Sequence, residues 1–233
     1  MSFLTLAIDV GGSSIKAIIL QDDGTPISKR SLIHTPHPAT PDVIVATLID
    51  LIAKQGEYDH VSIGFPSVVE HGVTRGAINL HADWDGFPLE EVLHSQLGKP
   101  IRIANDADVQ GCGAIAGKGV ELVVTLGTGF GSSLFLNGKL LPNLELGQHI
   151  FVGRETYEDR LGQAALDQIG VELWNVRLLE AIATLYKLFN YDKLYIGGGN
   201  ARLISTDLPA NVAIVSNDLG LIGGLALWRS SNS

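Results

Sequence analysis

Short runs of aliphatic and β-branched residues, each closed by glycine, alternate along this chain with longer stretches in which apolar side chains recur every three or four positions. Residues 3–10 are mostly apolar and end at Gly11-Gly12. A second β-prone run, 15–20, follows at once, so the pattern predicts a hairpin. Thr40-Pro41 supplies a capping hydroxyl and a proline for a first helical position. Ile44, Leu48, Leu51 and Ile52 then share one face, and Gly56 is the expected stop. Residues 61–65 read as a short buried strand halted by Pro66. Residues 101–104 read as another strand, running into Asn105-Asp106-Ala107-Asp108 at the start of a small-residue helix through about Ala116. A second glycine hairpin is expected from the run 122–126, the turn Gly127-Thr128-Gly129-Phe130-Gly131 and the run 133–136. Helical spacing covers 155–168 and 173–189. Residues 194–196 form a strand ending in Gly197-Gly198-Gly199, 213–215 the last strand, and 219–228 a closing helix loosened by glycine.

The segment LAIDVGGSSIKAIIL has an echo in VVTLGTGFGSSLFLN more than a hundred residues later. Both read as strand, Gly/Ser/Thr turn, strand. A single repeat at that distance points to a duplicated lobe and not to a solenoid. The expectation is an α/β protein of two lobes, residues 1–104 and 105–233, with the closing helix free to pack back on the first lobe.

Composition narrows the function classes. The formal charge of −9 argues against nucleic acid and anionic membrane surfaces as partners. The single cysteine, Cys112, permits neither an internal disulfide nor a cysteine zinc cluster. The first residues lack a charged region followed by an apolar run, and no stretch reaches the length of a membrane helix, so a cytoplasmic protein is expected.

The chemistry sits at the glycine turns. In Asp9–Lys16 (DVGGSSIK) two glycines let the backbone approach an anion, Ser13 and Ser14 add hydroxyls, Lys16 adds a charge, and Asp9 could hold Mg²⁺ through water. A plain hairpin turn is the alternative. The second turn has the same ingredients without the lysine. Two such turns from related lobes, facing each other across a cleft, would hold a phosphate chain. The spacing is not that of a P-loop. Asp106, where a strand meets a helix, fits a base that takes a hydroxyl proton in phosphoryl transfer, or else a helix N-cap. Asp108 is a rival base. Glu145 suits sugar hydroxyls or a solvated surface. Asn79, Asp83 and Trp84 are of the kind that lines sugar sites, although Trp84 suits a core equally well. The histidines show no metal spacing, and His81 is a weak sugar candidate.

Together these motifs resemble the ROK family of sugar kinases, and within it the polyphosphate glucokinase branch. AIDVGGSSIKA resembles its first phosphate motif, IGFPSVV its G-x-P-G motif, NLHADW a stretch leading to the sugar, and ANDAD its Asn-Asp pair. The ending PNLELG resembles that of polyphosphate glucokinases, and YIGGGNA the late glycine motif. The resemblance implies a duplicated ribonuclease H-like fold of the actin/hexokinase/Hsp70 ATPase type, with two lobes around a central cleft. It implies phosphoryl transfer from polyphosphate or ATP, with Mg²⁺, to O6 of glucose. Asp106 would be the base. Gly64, Asn79, Asn105 and Glu145 would hold the sugar. Asp9, Gly11, Gly12, Ser13 and Lys16 would hold the transferred phosphate and metal. Gly127, Thr128 and Gly129 would hold the rest of the chain of phosphates, with Gly197, Gly198 and Gly199 at its far end. No zinc site and a homodimer are also implied. The chain departs at Ser67, where the family has glycine, and at Gln148, where it has histidine and His149 is shifted by one. The alternatives are an ATP-dependent kinase for another hexose or N-acetylhexosamine, and a non-catalytic sugar-binding relative. A repressor of the same family would need a helix-turn-helix before a first strand expected at residue three.

Overall fold

The computed structural model describes residues 3–76, 80–216 and 218–229. They divide into two units, Met1–Gly113 with Gly220–Ser233, and Ala114–Leu219.

In the first unit β1 (Leu4–Val10) pairs antiparallel with β2 (Ser14–Gln21), and β2 with β3 (Ser31–His34). Helix α1 (Pro41–Ala53) carries the chain over to β4 (His60–Phe65), which lies parallel to β1. A small hairpin, β5 (Val68–Glu70) and β6 (Val73–Arg75), and helix α2 (Leu89–Leu97) precede β7 (Ile101–Asn105), parallel to β4. Helix α3 (Asp106–Ala114) follows directly. The sheet order is β3-β2-β1-β4-β7. Every residue of β4 is buried, as expected of a parallel strand covered on both faces. The Thr40 side chain makes no capping bond, so Pro41 alone marks the start of α1, and the helix ends at Ala53, short of Gly56.

The second unit repeats the plan. β8 (Val120–Leu126), β9 (Phe130–Leu136) and β10 (Lys139–Leu141) are antiparallel neighbours. A two-stranded ribbon, β11 (Ile150–Val152) and β12 (Glu155–Thr156), and helices α4 (Tyr157–Leu161) and α5 (Gln163–Phe189) lead to β13 (Lys193–Gly197). That strand lies parallel to β8 and to β14 (Val212–Ile214). The order is β10-β9-β8-β13-β14. In each unit the five strands therefore lie third, second, first, fourth, fifth, and the two echoing segments are the first hairpin of each. This is the duplicated ribonuclease H-like α/β architecture.

Three differences from the sequence pattern have local causes. The expected boundary at 104/105 falls inside the first unit, because α3 packs on the sheet of the strand before it. A Cβ added to Gly64 of β4 would stand 3.4 Å from the Asp106 Cα and 3.6 Å from the Val109 Cβ. The helix expected over 155–168 is broken, because Glu155 and Thr156 are drawn into β12 and Thr156 then caps α4 in a reciprocal box with Asp159. The closing helix is two pieces, α6 (Leu219–Gly223) and α7 (Ala226–Arg229), which belong from Gly220 onward to the first unit.

Candidate functional site

In the first unit the candidate residues gather at the carboxyl ends of the parallel strands, where ligands collect in open α/β sheets. The ladder aligns Asp9 of β1 with Gly64 of β4, and Phe65 of β4 with Asn105 of β7. Asp9 is also opposite Lys16 on β2, and Lys16 Nζ lies 2.9 Å from Asp9 Oδ2. Lys16, the charge of the motif, is thus tied to a carboxylate of the same motif.

Four residues separate the last paired positions of this hairpin, Val10 and Ile15. The Gly11 N–H closes the turn on Ser14 O at 2.9 Å. Thr35 holds it from the side, donating its hydroxyl to Gly11 O (2.6 Å) and its N–H to Ser13 O (3.1 Å). The N–H groups of Gly12 and Ser13, both exposed, make no hydrogen bond within the described residues. Two adjacent unspent N–H groups beside an anchored backbone are the ingredients of an anion nest.

The strand-to-helix corner is built by two neighbouring polar residues. Asn105, buried at the end of β7, takes the capping position. Its Oδ1 accepts from Ala107 N (2.9 Å) and Asp108 N (3.2 Å), and its Nδ2 donates to Ser67 O (3.2 Å). Asp106 is the first residue of α3 and only partly buried, with Oδ1 accepting from Ala107 N at 2.8 Å. The capping position is therefore that of Asn105, and Asp106 shares the Ala107 N–H with it. Asp108, the rival, is 1 % exposed. Ser67 sits at a negative φ, where its side chain is tolerated, and its hydroxyl donates to Val68 O (2.8 Å). Trp84 belongs to the core: it is fully buried against Phe65, with its N–H on Ala39 O (2.8 Å). His81 and Asp83 are exposed and bonded to each other. Asn79 lies outside the described residues.

The second unit shows the same device in other residues. Three residues separate the paired Leu126 and Phe130. Gly127 N–H closes the turn on Gly129 O (3.1 Å). Gly127 O accepts from Asn200 Nδ2 (3.3 Å) and Thr128 O from Gln163 N (3.2 Å), while Asn200 and Gln163 are themselves bonded at 3.0 Å. The N–H groups of Thr128 and Gly129 make no hydrogen bond within the described residues. Phe130 N, just beyond, donates to Glu158 Oε2 (3.1 Å). Gln163 and Glu158, which bond to this turn, lie outside the sequence motifs, and Asn200 lies within YIGGGNA without having been given a role there.

Gly197 ends β13, opposite Thr125 of β8, which puts the late glycine run beside the turn. Gly198 has φ 89° and ψ 162°, and a Cβ there would fall 2.2 Å from Leu126 O and 2.3 Å from Leu126 N. Only glycine fits that approach. Gly198, Gly199, Ala201, Arg202 and the segment from Ile214 to Ser216 line a cavity of about 390 Å³.

Glu145 is exposed, yet crowding by the surrounding protein raises the pKa of its carboxyl, and the Glu158 carboxylate raises it further. It stands at the entry to the short turn Leu146–Gln148, whose Gly147 has Phe130 O at 2.3 Å from the position of a Cβ. Glycine in the ELG motif is thus a packing requirement. Gln148 and His149 are exposed. The thiol of Cys112 is pushed up to about 12 by burial and then by Asp108, so it is no nucleophile.

Among the described residues no three His, Cys, Asp or Glu side chains are grouped to hold a metal. Asp9 offers one carboxylate with one oxygen engaged by Lys16. That donor set fits an ion of the Mg²⁺ kind that arrives on substrate phosphates and keeps most of its waters, and it does not fit a caged ion.

With this geometry in hand, comparisons with known proteins are specific. A match to the ROK family covers residues 5–149. The chain is 32 % identical over 233 residues to a polyphosphate glucokinase of Mycobacterium tuberculosis, covering 93 % of this chain and 88 % of that one. It is 31 % identical to a polyphosphate glucokinase of Mycobacterium leprae, covering 93 % and 72 %. Among solved structures it is similar to an inorganic polyphosphate/ATP-glucomannokinase from Arthrobacter sp. strain KM, with a TM-score of 0.87 and 28 % identity over 98 % of this chain and 99 % of that one.

Proposed function

The chain belongs to the ROK family, and on that premise we propose that it is a kinase moving a phosphoryl group from inorganic polyphosphate to O6 of glucose. The observation that carries the reading is that Asp106 opens α3 at the carboxyl end of β7, its Cα 3.4 Å from the position of a Cβ on Gly64, the residue the ladder sets opposite Asp9. Likeness to the polyphosphate glucokinases of the two mycobacteria supplies the sugar and the donor.

In the reaction the sugar hydroxyl oxygen bonds to the terminal phosphorus, the bond from that phosphorus to the chain breaks, and Asp106 takes the hydroxyl proton. The products are glucose 6-phosphate and a chain shorter by one phosphate. Asn105, Gly64 and Glu145 are assigned to the sugar, together with Asn79. Gly11, Gly12, Ser13 and Lys16 are assigned to the transferred phosphate. Gly127, Thr128 and Gly129 are assigned to the phosphates that follow, and Gly197, Gly198 and Gly199 to the far end. In each hairpin two unspent N–H groups face charge without having to reorganise, the form of stabilisation that counts most for a phosphoryl group. Mg²⁺, held through water by Asp9, would neutralise charge on the donor. The lone cysteine and the absence, among the described residues, of a helix long and apolar enough to cross a membrane are consistent with work in the cytoplasm. A homodimer is part of the same reading.

Similarity to the Arthrobacter polyphosphate/ATP-glucomannokinase favours ATP as a second donor. A coupled assay for glucose 6-phosphate, run with polyphosphate and with ATP, with and without Mg²⁺, tests the proposal. Mg²⁺-dependent product from polyphosphate supports it. Product from ATP alone moves the donor to the nucleotide, and glucose binding without product from either makes the chain a sugar-binding relative.

A further inference from the structure

The closing segment carries Gly220, Gly223 and Gly224, and they are glycine for different reasons. A Cβ on Gly223 would fall 1.8 Å from Val109 O of α3, and one on Gly224 would fall 2.4 Å from Ser62 Oγ of β4. Close packing admits no side chain at either position. Gly220, within α6, is another case. Its φ lies outside the left-handed region, and a Cβ there would make only ordinary van der Waals contacts. Alanine would fit, and within a helix alanine is the better residue. Neither backbone nor packing accounts for glycine at 220.

The neighbours of that Cβ do account for it. The three nearest atoms all belong to the Asp9 carboxylate: Cγ at 3.8 Å, Oδ2 at 3.9 Å and Oδ1 at 4.0 Å. A point so nearly equidistant from the carbon and both oxygens lies over the flat face of the group. Lys16 Nζ holds Oδ2 at 2.9 Å, Oδ1 takes no hydrogen bond within the described residues, and the side chain keeps 20 % of its surface exposed. The closing segment is also fixed in place. Gly223 and Gly224 lie against α3 and β4, and Arg102 donates to Leu227 O with its guanidinium 4.5 Å from the Trp228 ring.

We propose that Gly220 is a positioning residue of the phosphoryl-transfer site: having no side chain, it leaves one face of the Asp9 carboxylate to water, and through that water Asp9 holds the Mg²⁺ that arrives on the donor. The inference rests on the reading of Asp9 as the holder of a hydrated ion. Mg²⁺ gives up its waters reluctantly, so a carboxylate that holds it through water needs a face open to that water. A methyl over Asp9 would take its place. Glycine at 220 thus weakens α6 as a helix for the sake of the ion, a stability–function trade-off.

The probe is Mn²⁺ with tripolyphosphate in the absence of sugar, and water-proton relaxation measures its affinity for the full chain. Gly220→Ala should bind it about tenfold more weakly than the wild type, with a thermal midpoint unchanged or raised by roughly 2 °C. Asp9→Asn is the reference and should lose at least as much affinity. A glycine with a merely structural role would do the reverse, lowering the midpoint and sparing the affinity. Wild-type affinity in Gly220→Ala beside a weakened Asp9→Asn overturns the inference and leaves the Mg²⁺ reading standing. A midpoint lowered by more than about 5 °C in Gly220→Ala makes the glycine a packing requirement and also overturns it. Wild-type affinity in Asp9→Asn, or no binding by the wild type, overturns the reading of Asp9 and the inference with it.

Discussion

The two glycine hairpins solve one backbone problem twice and then part company. In each, the first glycine N–H closes the turn, two carbonyls are held from the side, and two N–H groups are left over within the described residues. The flanking positions differ. Where the first hairpin pairs Asp9 with Lys16, the second pairs Thr125 with Gly131. Where Thr35 alone steadies the first, Asn200 and Gln163 steady the second through a bond to each other. The first turn has an ion pair across its flanks, and the second has neutral amides at its carbonyls with the Glu158 carboxylate on the N–H just beyond. Both copies thus expose N–H groups, while the Asp9–Lys16 ion pair belongs to the unit that also holds Asp106.

The largest expected effect sharpens that division. Asp106→Asn should lower kcat by roughly 10²–10⁴, the usual worth of a general base, with the fold and donor binding retained in both hairpins. Steady-state kinetics and a thermal melt check this, and near-normal turnover would take Asp106 out of the mechanism. Next is Gly198→Ala, which damages the second copy alone. The added methyl collides with the Leu126 backbone at a glycine-only φ/ψ, and should cost roughly 3 kcal/mol or more by chemical denaturation. Thr35→Val and Asn200→Ala form a matched pair, each releasing one strapped glycine carbonyl at about 1 kcal/mol. If the straps are equivalent, both raise the donor KM several-fold and leave the glucose KM alone. A change in only one would break the equivalence.

The smallest effect concerns Glu145. Its pKa in the folded chain lies above the ordinary value of 4.5, so between the unfolded and folded values the native state holds the extra proton. Stability therefore falls as pH rises through that window, and the penalty is fully present at neutral pH. Glu145→Gln should stabilise the fold slightly at pH 7, by roughly 0.3 kcal/mol given the exposure of the side chain, and the gain should vanish in acid, while the glucose KM rises. A melt series against pH measures the first part.

Much of this was legible in the chain. Glycine and serine between β-branched runs announced both hairpins, because a tight reversal between strands leaves few other choices. The Asn-Asp corner was legible as a strand-to-helix junction, but which residue caps the helix was not. Either residue can cap a helix, and only the bonds from Oδ1 of Asn105 to Ala107 and Asp108 decide it. Trp84 looked alike as sugar platform and as core until its indole was found sealed against Phe65. The Asn200–Gln163 strap joins residues far apart in sequence with no periodic signal, so no local pattern predicts it. Helix α2 was readable from Leu89, Val92, Leu93 and Leu97 with Gly98 as its left-handed cap, but the polar and aromatic groups before it drew attention toward chemistry.

The central claim is that the leftover N–H groups of both hairpins receive phosphate. Amide ¹H–¹⁵N spectra of the labelled protein, titrated with tripolyphosphate and Mg²⁺ in the absence of sugar, test it without turnover. Saturable shifts at Gly12, Ser13, Thr128 and Gly129 are the predicted result. Four unmoved amides, with tripolyphosphate bound elsewhere, would contradict the account.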